Sequence, residues 1–181
     1  MKTRYKWTVE DYHQLIDTGL LEGKPVELLE GELIEMSPEG IPHSYTNSTV
    51  ADYLRSLLNG LAAISEAHPI TLDNSEPEPD IAIVRLPKSI YAQHHPYPED
   101  IYWLIEISNN TLEKDLNEKT IIYARNGIAE YWVIDLPHKK LWVFTKPGKK
   151  GYSQTQEFTT GIISPQSLPN ISIETKELLL F

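Results

Sequence analysis

The chain has 181 residues, of which 40% are hydrophobic and 23% charged, and it contains no cysteine. This composition excludes a disordered or fibrous protein, and the lack of cysteine excludes disulfides and thiolate metal sites. The formal net charge of −10 at pH 7 counts against a protein that simply coats nucleic acid, which is normally basic, but less against an enzyme whose carboxylates hold a cation.

The organisation of the chain is expected to be simple. No stretch has the apolar length of a secretory signal or a membrane span, so we expect a cytoplasmic protein with no membrane partner. No repeat, low-complexity tract or linker is visible, so we expect a single domain over residues 1–181. Within it we expect an N-terminal helix and hairpin in 1–42, a core in 43–145 and a C-terminal extension in 146–181.

Two local signals predict the first elements. Thr8, with Asp11 three residues later, resembles a capping box, and apolar residues at helical spacing continue to about residue 19. Residues 26–36 are typical of a β-hairpin with its turn at Glu30-Gly31.

A second helix and a group of strands follow. The helix is predicted from about His43 to Gly60, because its apolar residues keep the i, i+3, i+4, i+7 spacing of one helical face. Strands are predicted at 64–72, 81–85 and 101–108, and the last two are nearly continuous apolar runs, typical of strands covered on both faces. The loop before the third strand contains His94-His95, which we interpret as solvated loop residues.

The second half of the chain predicts one more helix and several strands. Asn110 opens the helix, which continues to Arg125 and is closed by Asn126-Gly127. Strands at 131–136 and 141–145 form a hairpin, and 152–158 is a candidate for another strand. A short apolar segment, 178–181, ends the chain. Together these elements predict an α/β (α+β) fold in which a mixed sheet is flanked by helices.

Two acids stand at unusual positions in these strands. Asp80 immediately precedes the apolar strand 81–85, and Glu106 lies inside the apolar run 103–107. Alternation along that strand places Glu106 on one face with Leu104 and Ser108. Burying a carboxylate there is unfavourable unless a cation or hydrogen-bond donors compensate it. A positive group is therefore expected nearby.

The third helix carries a lysine inside its apolar stripe. The stripe has helical spacing and consists of Leu112, Leu116, Lys119 and Tyr123. Lys119 thus lies on the buried face. Asp115, four residues earlier, is placed to orient the ammonium group. A helix that directly follows a central strand packs back over the sheet, so we expect Lys119 to reach Glu106.

Asp80, Glu106 and Lys119 are together the parts of a site for metal-assisted phosphodiester hydrolysis. Carboxylates hold a hard cation such as Mg²⁺, which polarises a phosphoryl oxygen and lowers the pKa of a bound water. A lysine can orient that water or stabilise charge that develops on the phosphate. The residues leave open a second interpretation, a structural buried salt bridge between Glu106 and Lys119 with Asp80 capping a strand.

A wider pattern surrounds these residues. It consists of Val26–Leu33, Ser37-Pro38 with His43, Glu78-Pro79-Asp80, and the block from Leu104 to Asp135. This pattern, which covers nearly the whole chain, resembles the Uma-type branch of the PD-(D/E)XK nuclease superfamily. The resemblance implies a restriction-endonuclease-like core, an endonuclease that cuts DNA with Mg²⁺ or Mn²⁺, and a homodimer. It also implies Asp80, Glu106 and the backbone carbonyl of Ile107 as metal ligands.

The chain departs from the superfamily pattern at one position. The lysine expected two residues after Glu106 is Ser108, and the resemblance implies that Lys119 on the next helix replaces it. The secondary site candidates are Glu32, Glu27, His43, Asp115 and Ser108. The family pattern ranks Glu32 above Glu27, and His43 is either a proton carrier or substrate contact, or a cap or packing residue. The alternative function is a non-catalytic binding or dimerisation module with the nuclease fold.

Overall fold

The first two predicted elements form as expected in the structure, a computed structural model that describes residues 4–180. Helix α1 (Val9–Asp17) begins with the predicted capping box, because the Thr8 hydroxyl accepts from the Asp11 N–H and the Asp11 carboxylate accepts from the Thr8 N–H. Strands β1 (Val26–Leu29) and β2 (Glu32–Glu35) form the predicted antiparallel hairpin.

A six-stranded mixed sheet forms the centre of the fold. Its strands, in spatial order, are β3 (Ala63–Glu66), β4 (Ile81–Val84), β5 (Ile101–Ser108), β6 (Glu130–Asp135), β7 (Lys140–Gly148) and β8 (Gly151–Phe158). Strands β5 and β6 pair in parallel, and the other neighbouring pairs are antiparallel. The predicted mixed sheet is therefore confirmed. Strand β8 lies within the expected C-terminal extension and yet completes this sheet.

One strand is shorter than predicted. The expected strand at 64–72 ends at Glu66. Ala67 has a left-handed φ of 46°, and Pro69 follows without an N–H to donate to a ladder. The chain therefore leaves the sheet and returns to it only at β4. The connection between β3 and β4 contains Asp80 and the residues that precede it.

The two faces of the sheet bury different cores. Along β5, Trp103, Ile105 and Ile107 pack towards α2 (Ile41–Leu57) and α4 (Thr175–Leu179). Leu104, on the opposite face, packs with residues of the helix that follows β5. This alternation confirms the predicted faces of β5, and it directs Glu106 towards that helix.

The helix after β5 differs from its prediction. A π-helical segment (Lys114–Lys119) leads into α3 (Thr120–Arg125), where a continuous α-helix was expected. It also begins after Thr111 and not at Asn110, because the Thr111 carbonyl accepts from the Asp115 N–H at 3.0 Å. The C-terminus is as predicted, with Gly127 in the left-handed region at φ 78°.

Side-chain donors explain the wide turn. The carbonyl of Asp115 accepts from the Thr120 hydroxyl at 2.9 Å and from the Tyr131 hydroxyl at 3.2 Å. Side chains that insert into the hydrogen-bond ladder of a helix are a known cause of such local widening. The π segment is thus specified by residues on both the helix and β6.

The remaining segments lie around the sheet. The loop before β5 contains two 3₁₀ turns, Lys88–Ala92 and Pro98–Asp100. His94 contacts His95 and Tyr97 of the same loop, whereas the ring of His95 lies near His13 and Glu76. After β8 come β9 (Ile162–Ile163), β10 (Ile173–Glu174) and α4. Phe181, the end of the predicted apolar tail, lies outside the described residues. Within residues 4–180 no helix is both long and apolar enough to cross a bilayer.

Candidate active site

A cleft of about 440 Å³ opens where the hairpin, the start of α2, the start of β4, the end of β5 and the π segment meet. It contains all three residues of the predicted centre. Six acids line it: Glu27, Glu39, Glu78, Asp80, Glu106 and Asp115. Three groups that can carry positive charge line it as well: His43, Lys114 and Lys119. The cleft is therefore strongly acidic, with a few cations placed among the carboxylates.

Glu106 is buried at the end of this cleft, with only 3% of its surface exposed. The Lys119 ammonium and the Tyr123 hydroxyl both donate to its Oε1, each at 2.8 Å. No residue between 4 and 180 donates to its Oε2, so that oxygen is left for another ligand. Burial, together with the nearby carboxylate of Asp80, raises the pKa of Glu106 to about 8, although the Lys119 ammonium opposes the shift.

Lys119 is the buried cation that the sequence predicted. Burial disfavours its charge, but the carboxylates of Glu106 and Glu27 outweigh that effect and raise its pKa above the usual value. Asp115 and Asp80 act in the same direction. Lys119 therefore remains an ammonium group in the folded protein, fixed against one oxygen of Glu106.

Asp80 is held in place by two donors on one oxygen. Its Oδ2 accepts from the Ile107 N–H at 2.6 Å and from His43 Nε2 at 3.1 Å. In the described part of the chain, Oδ1 receives no hydrogen bond. Asp80 and Glu106 thus share one arrangement, in which one oxygen is fixed by the protein and the other is open towards the cleft.

His43 connects Asp80 to a third acid. Its Nδ1 lies 3.6 Å from the Glu39 carboxylate, and this buried nitrogen makes no hydrogen bond within the described residues. Burial lowers the pKa of His43. The hydrogen bond to Asp80 and the charges of Asp80, Glu39 and Glu106 raise the pKa by more than burial lowers it, so the net shift is upward. Ligand atoms of Glu39, His43 and Asp80 all lie within 4.8 Å of one another.

The donor chemistry of the cleft fits a divalent cation. Carboxylate oxygens are the ligands that Mg²⁺ and Mn²⁺ prefer, and an imidazole suits transition metals. Asp80 and Glu106 each offer an oxygen that no described donor occupies, and the Glu39–His43–Asp80 group adds a neighbouring set of ligand atoms. A cation here would also offset the two causes that raise the pKa of Glu106, its burial and the repulsion by Asp80.

Asp115 does not orient Lys119 as the sequence predicted. Its Oδ2 accepts from the Ser108 hydroxyl at 2.5 Å and from the Thr111 hydroxyl at 2.7 Å, and it makes no hydrogen bond to Lys119. The hydroxyls of Ser108 and Thr111 are the physical reason, because they hold this carboxylate at the start of the helix, and helical spacing gives no sign of either contact. Ser108 thus anchors the segment that carries Lys119.

Of the two hairpin acids, the structure brings Glu27 and not Glu32 into the cleft. Glu27 is buried, and it accepts from the Lys114 ammonium at 2.8 Å. Glu32 lies at the turn end of the hairpin, opposite Leu29, and binds Lys6 at 2.8 Å. The position in the cleft therefore favours Glu27, whereas the family pattern ranked Glu32 first.

Several cleft residues were missed by the sequence analysis. Glu39 lies four residues before His43, a helical spacing that could have suggested the pair. Tyr123 was placed in the apolar stripe four residues after Lys119, and only its hydroxyl was overlooked. Lys114 gave no signal, because an α-helical phase turns it away from Lys119. Glu78 lies two residues before Asp80, but no periodic pattern of apolar residues distinguished it.

Comparisons with known proteins identify the family and the fold. The model of the Uma2 family, described as "Putative restriction endonuclease", matches residues 9–176. No curated protein gives a significant match. The crystal structure of a "putative nuclease belonging to DUF820" from Anabaena variabilis superposes with a TM-score of 0.72 at 19% identity, over 91% of this chain and 97% of that one. That likeness confirms the fold, and the family match, which spans most of the sequence, shows that the chain belongs to the Uma2 family.

Proposed function

We propose that this protein is an endonuclease that hydrolyses phosphodiester bonds of DNA with a divalent cation, Mg²⁺ or Mn²⁺, in the acidic cleft. The observation that carries the proposal is the convergence of Asp80, Glu106 and Lys119. Each acid is fixed through one oxygen and open through the other, and the lysine is held charged beside them. Family membership and the nuclease-like fold support the same reaction class.

The ligands of the cation in this proposal are Asp80, Glu106 and the backbone carbonyl of Ile107, which also lines the cleft. When bound, the cation polarises the phosphoryl oxygen and lowers the pKa of a water molecule. Glu39 and His43 stand next to Asp80 and extend the set of available ligands.

The other residues of the cleft position these ligands. Lys119 and Tyr123 fix the rotamer of Glu106 through Oε1, which directs Oε2 outwards. The Lys119 ammonium, a buried donor, can also stabilise negative charge that develops on the phosphate. His43 holds Asp80 by a hydrogen bond through Nε2 and so fixes the orientation of that carboxylate.

A homodimer is part of the proposal, and one feature of the sheet supports it. Strand β8 is an edge strand, and among the described strands it pairs only with β7. Glu157 is its one charged residue and already pairs with Lys140. A long edge with so little charge is suited to pairing with a second copy of itself. Light scattering during gel filtration tests this, and Thr155→Pro should yield a monomer.

Cleavage of plasmid DNA tests the reaction directly. Wild type and Glu106→Ala are compared with Mg²⁺, Mn²⁺ or EDTA present, and circular dichroism checks that both are folded. We expect nicking that needs the ion and is lost in the variant. If folded wild type cuts under no ion, the net charge of −10 and the acidic cleft favour the other candidate, a non-catalytic binding module.

A further inference from the structure

The π segment places two lysines of one helix in the same cleft. Nζ of Lys114 lies 2.8 Å from Glu27 Oε1, and Nζ of Lys119 lies 2.8 Å from Glu106 Oε1. In an α-helix, residues five apart point about 140° away from each other around the axis. A π turn closes from i to i+5, which brings such residues onto nearly the same face. The wide turn therefore lets both ammonium groups enter the cleft.

The two lysines differ in their access to solvent. The side chain of Lys119 is 8% exposed, whereas that of Lys114 is 27% exposed. Lys114 can therefore exchange its partner without unfolding the helix. Its present partner, Glu27, also accepts from the Glu78 N–H at 3.3 Å, so Glu27 keeps one hydrogen bond when Lys114 leaves.

The chemistry of the cleft indicates what Lys114 would bind instead. Six acids line the cleft, and their negative charge repels a polyanion. Two lysines line it as well, and Lys114 is the more exposed of the two. A lysine ammonium is a strong point-charge partner for a phosphate oxygen. We propose that Lys114 is a phosphate-binding residue, which exchanges Glu27 for a backbone phosphate when nucleic acid enters the cleft. This inference rests on the proposed function.

Salt dependence of DNA binding provides the test. Binding of a short duplex is measured by fluorescence anisotropy over a range of salt concentrations, with Ca²⁺ in place of Mg²⁺ to prevent cutting. For Lys114→Met we expect the slope of log affinity against log salt to fall by about 0.9, the value for one phosphate contact. Mn²⁺ affinity, measured by calorimetry, should not fall, because Lys114 is not a proposed ligand and its removal takes a positive charge out of the cleft.

Lys140→Met is the matched control. The Lys140 side chain is 29% exposed and its ammonium lies 2.6 Å from Glu157, so it resembles Lys114 in exposure and in having one acidic partner, although Glu157 is exposed and Glu27 is buried. It does not line the cleft. Its removal should leave the salt slope of DNA binding as in wild type.

Two further variants separate a phosphate contact from a structural ion pair. Lys114→Met leaves the buried Glu27 without its cation and can lower stability. Glu27→Gln/Lys114→Met removes that unpaired charge and should keep the reduced slope. Glu27→Gln alone should bind DNA more tightly than wild type, because Lys114 is released. If the Lys114–Glu27 ion pair is only structural, Lys114→Met and Glu27→Gln should both bind DNA more weakly than wild type.

The outcomes distinguish this inference from the proposed function. If wild type binds and cuts DNA but Lys114→Met and the double variant keep the wild-type slope, the role of Lys114 is wrong and the nuclease stands. If folded wild type neither cuts with any ion nor binds the duplex, the proposed function fails, and the role of Lys114 fails with it.

Discussion

Glu106 and Glu130 are two buried acids on neighbouring strands, and only one of them lies in a cleft. Glu106 is on β5 and Glu130 on β6, with 3% and 1% of their surfaces exposed. Burial is the largest cause of a raised pKa in both. Side-chain alternation puts them on opposite faces of the sheet, since Glu106 pairs with Val133, whereas Glu130 shares its face with Trp132.

The two carboxylates are compensated in different ways. Glu130 uses both oxygens, because Oε1 accepts from the Trp132 indole and Oε2 from the Gln166 N–H, each at 2.7 Å. Both of these donors are neutral. Glu106 receives an ammonium and a hydroxyl on one oxygen and keeps the other open beside further acids. Burial and a raised pKa are therefore common to both acids, and what distinguishes Glu106 is an open oxygen in the cleft.

The largest expected effect comes from changing each acid to its amide. Glu106→Gln should lower DNA cleavage and Mn²⁺ affinity by at least about 100-fold, since it removes a charged ligand. Glu130→Gln should change neither by more than about twofold, since Glu130 has no contact with the cleft. Calorimetric Mn²⁺ titration and plasmid cleavage measure the two effects. Equal losses in both variants would show that fold stability, and not the site, is being measured.

The cation beside Glu106 gives the next largest effect. Lys119→Met leaves a buried carboxylate without its ion pair, which should lower the free energy of unfolding by about 3–5 kcal/mol. The double variant Glu106→Gln/Lys119→Met should recover most of that stability but none of the cleavage. Urea unfolding provides the free energies. If Lys119→Met lowers the free energy of unfolding by less than about 1 kcal/mol, the loss is that of an exposed ion pair and contradicts the buried pair between Lys119 and Glu106.

The comparison also shows what could be predicted from the sequence. Glu106 and Lys119 were found because the rules that place them are local. Two-residue alternation fixes the face of β5, and a helix that directly follows a strand packs over it. The apolar neighbours of Glu106 made its carboxylate stand out. Glu130 lies at the first position of β6, where an acid gives no such contrast, and it was not noticed.

The rest of the cleft depends on information that local rules lack. The Asp115 carbonyl in the π segment accepts from Thr120 and from Tyr131 on the next strand, and the α-helical phase gave Lys114 no role because it turned Lys114 away from Lys119. The Asp115 carboxylate is held by Ser108 and Thr111, which helical spacing does not reveal. Glu27 lies in the cleft because the hairpin packs beside it, and no periodic pattern in the sequence predicts that packing. The residues missed are thus those whose positions are decided by tertiary contacts.

The pH dependence of stability tests the raised pKa of Glu130. Its raised pKa means that the folded state binds more protons than the unfolded state above the usual value of 4.5. The contribution of Glu130 to stability is therefore fully present below pH 4.5 and is lost as pH rises through the raised pKa. Urea unfolding of wild type and Glu130→Gln at several pH values should show their difference shrink as pH falls. A difference that is constant with pH would contradict the shift.

The smallest expected effect concerns a hydroxyl group. Tyr123→Phe removes one donor from Glu106, and Tyr152→Phe removes an equally short 2.8 Å bond from the Tyr152 hydroxyl to the Ile128 carbonyl, on the same side of the sheet. Each should lower the free energy of unfolding by about 1 kcal/mol. Only Tyr123→Phe should also weaken Mn²⁺ binding, by about tenfold, because its hydroxyl fixes the Glu106 rotamer. If the two variants bind Mn²⁺ equally well, Lys119 alone is sufficient to hold Glu106 in place.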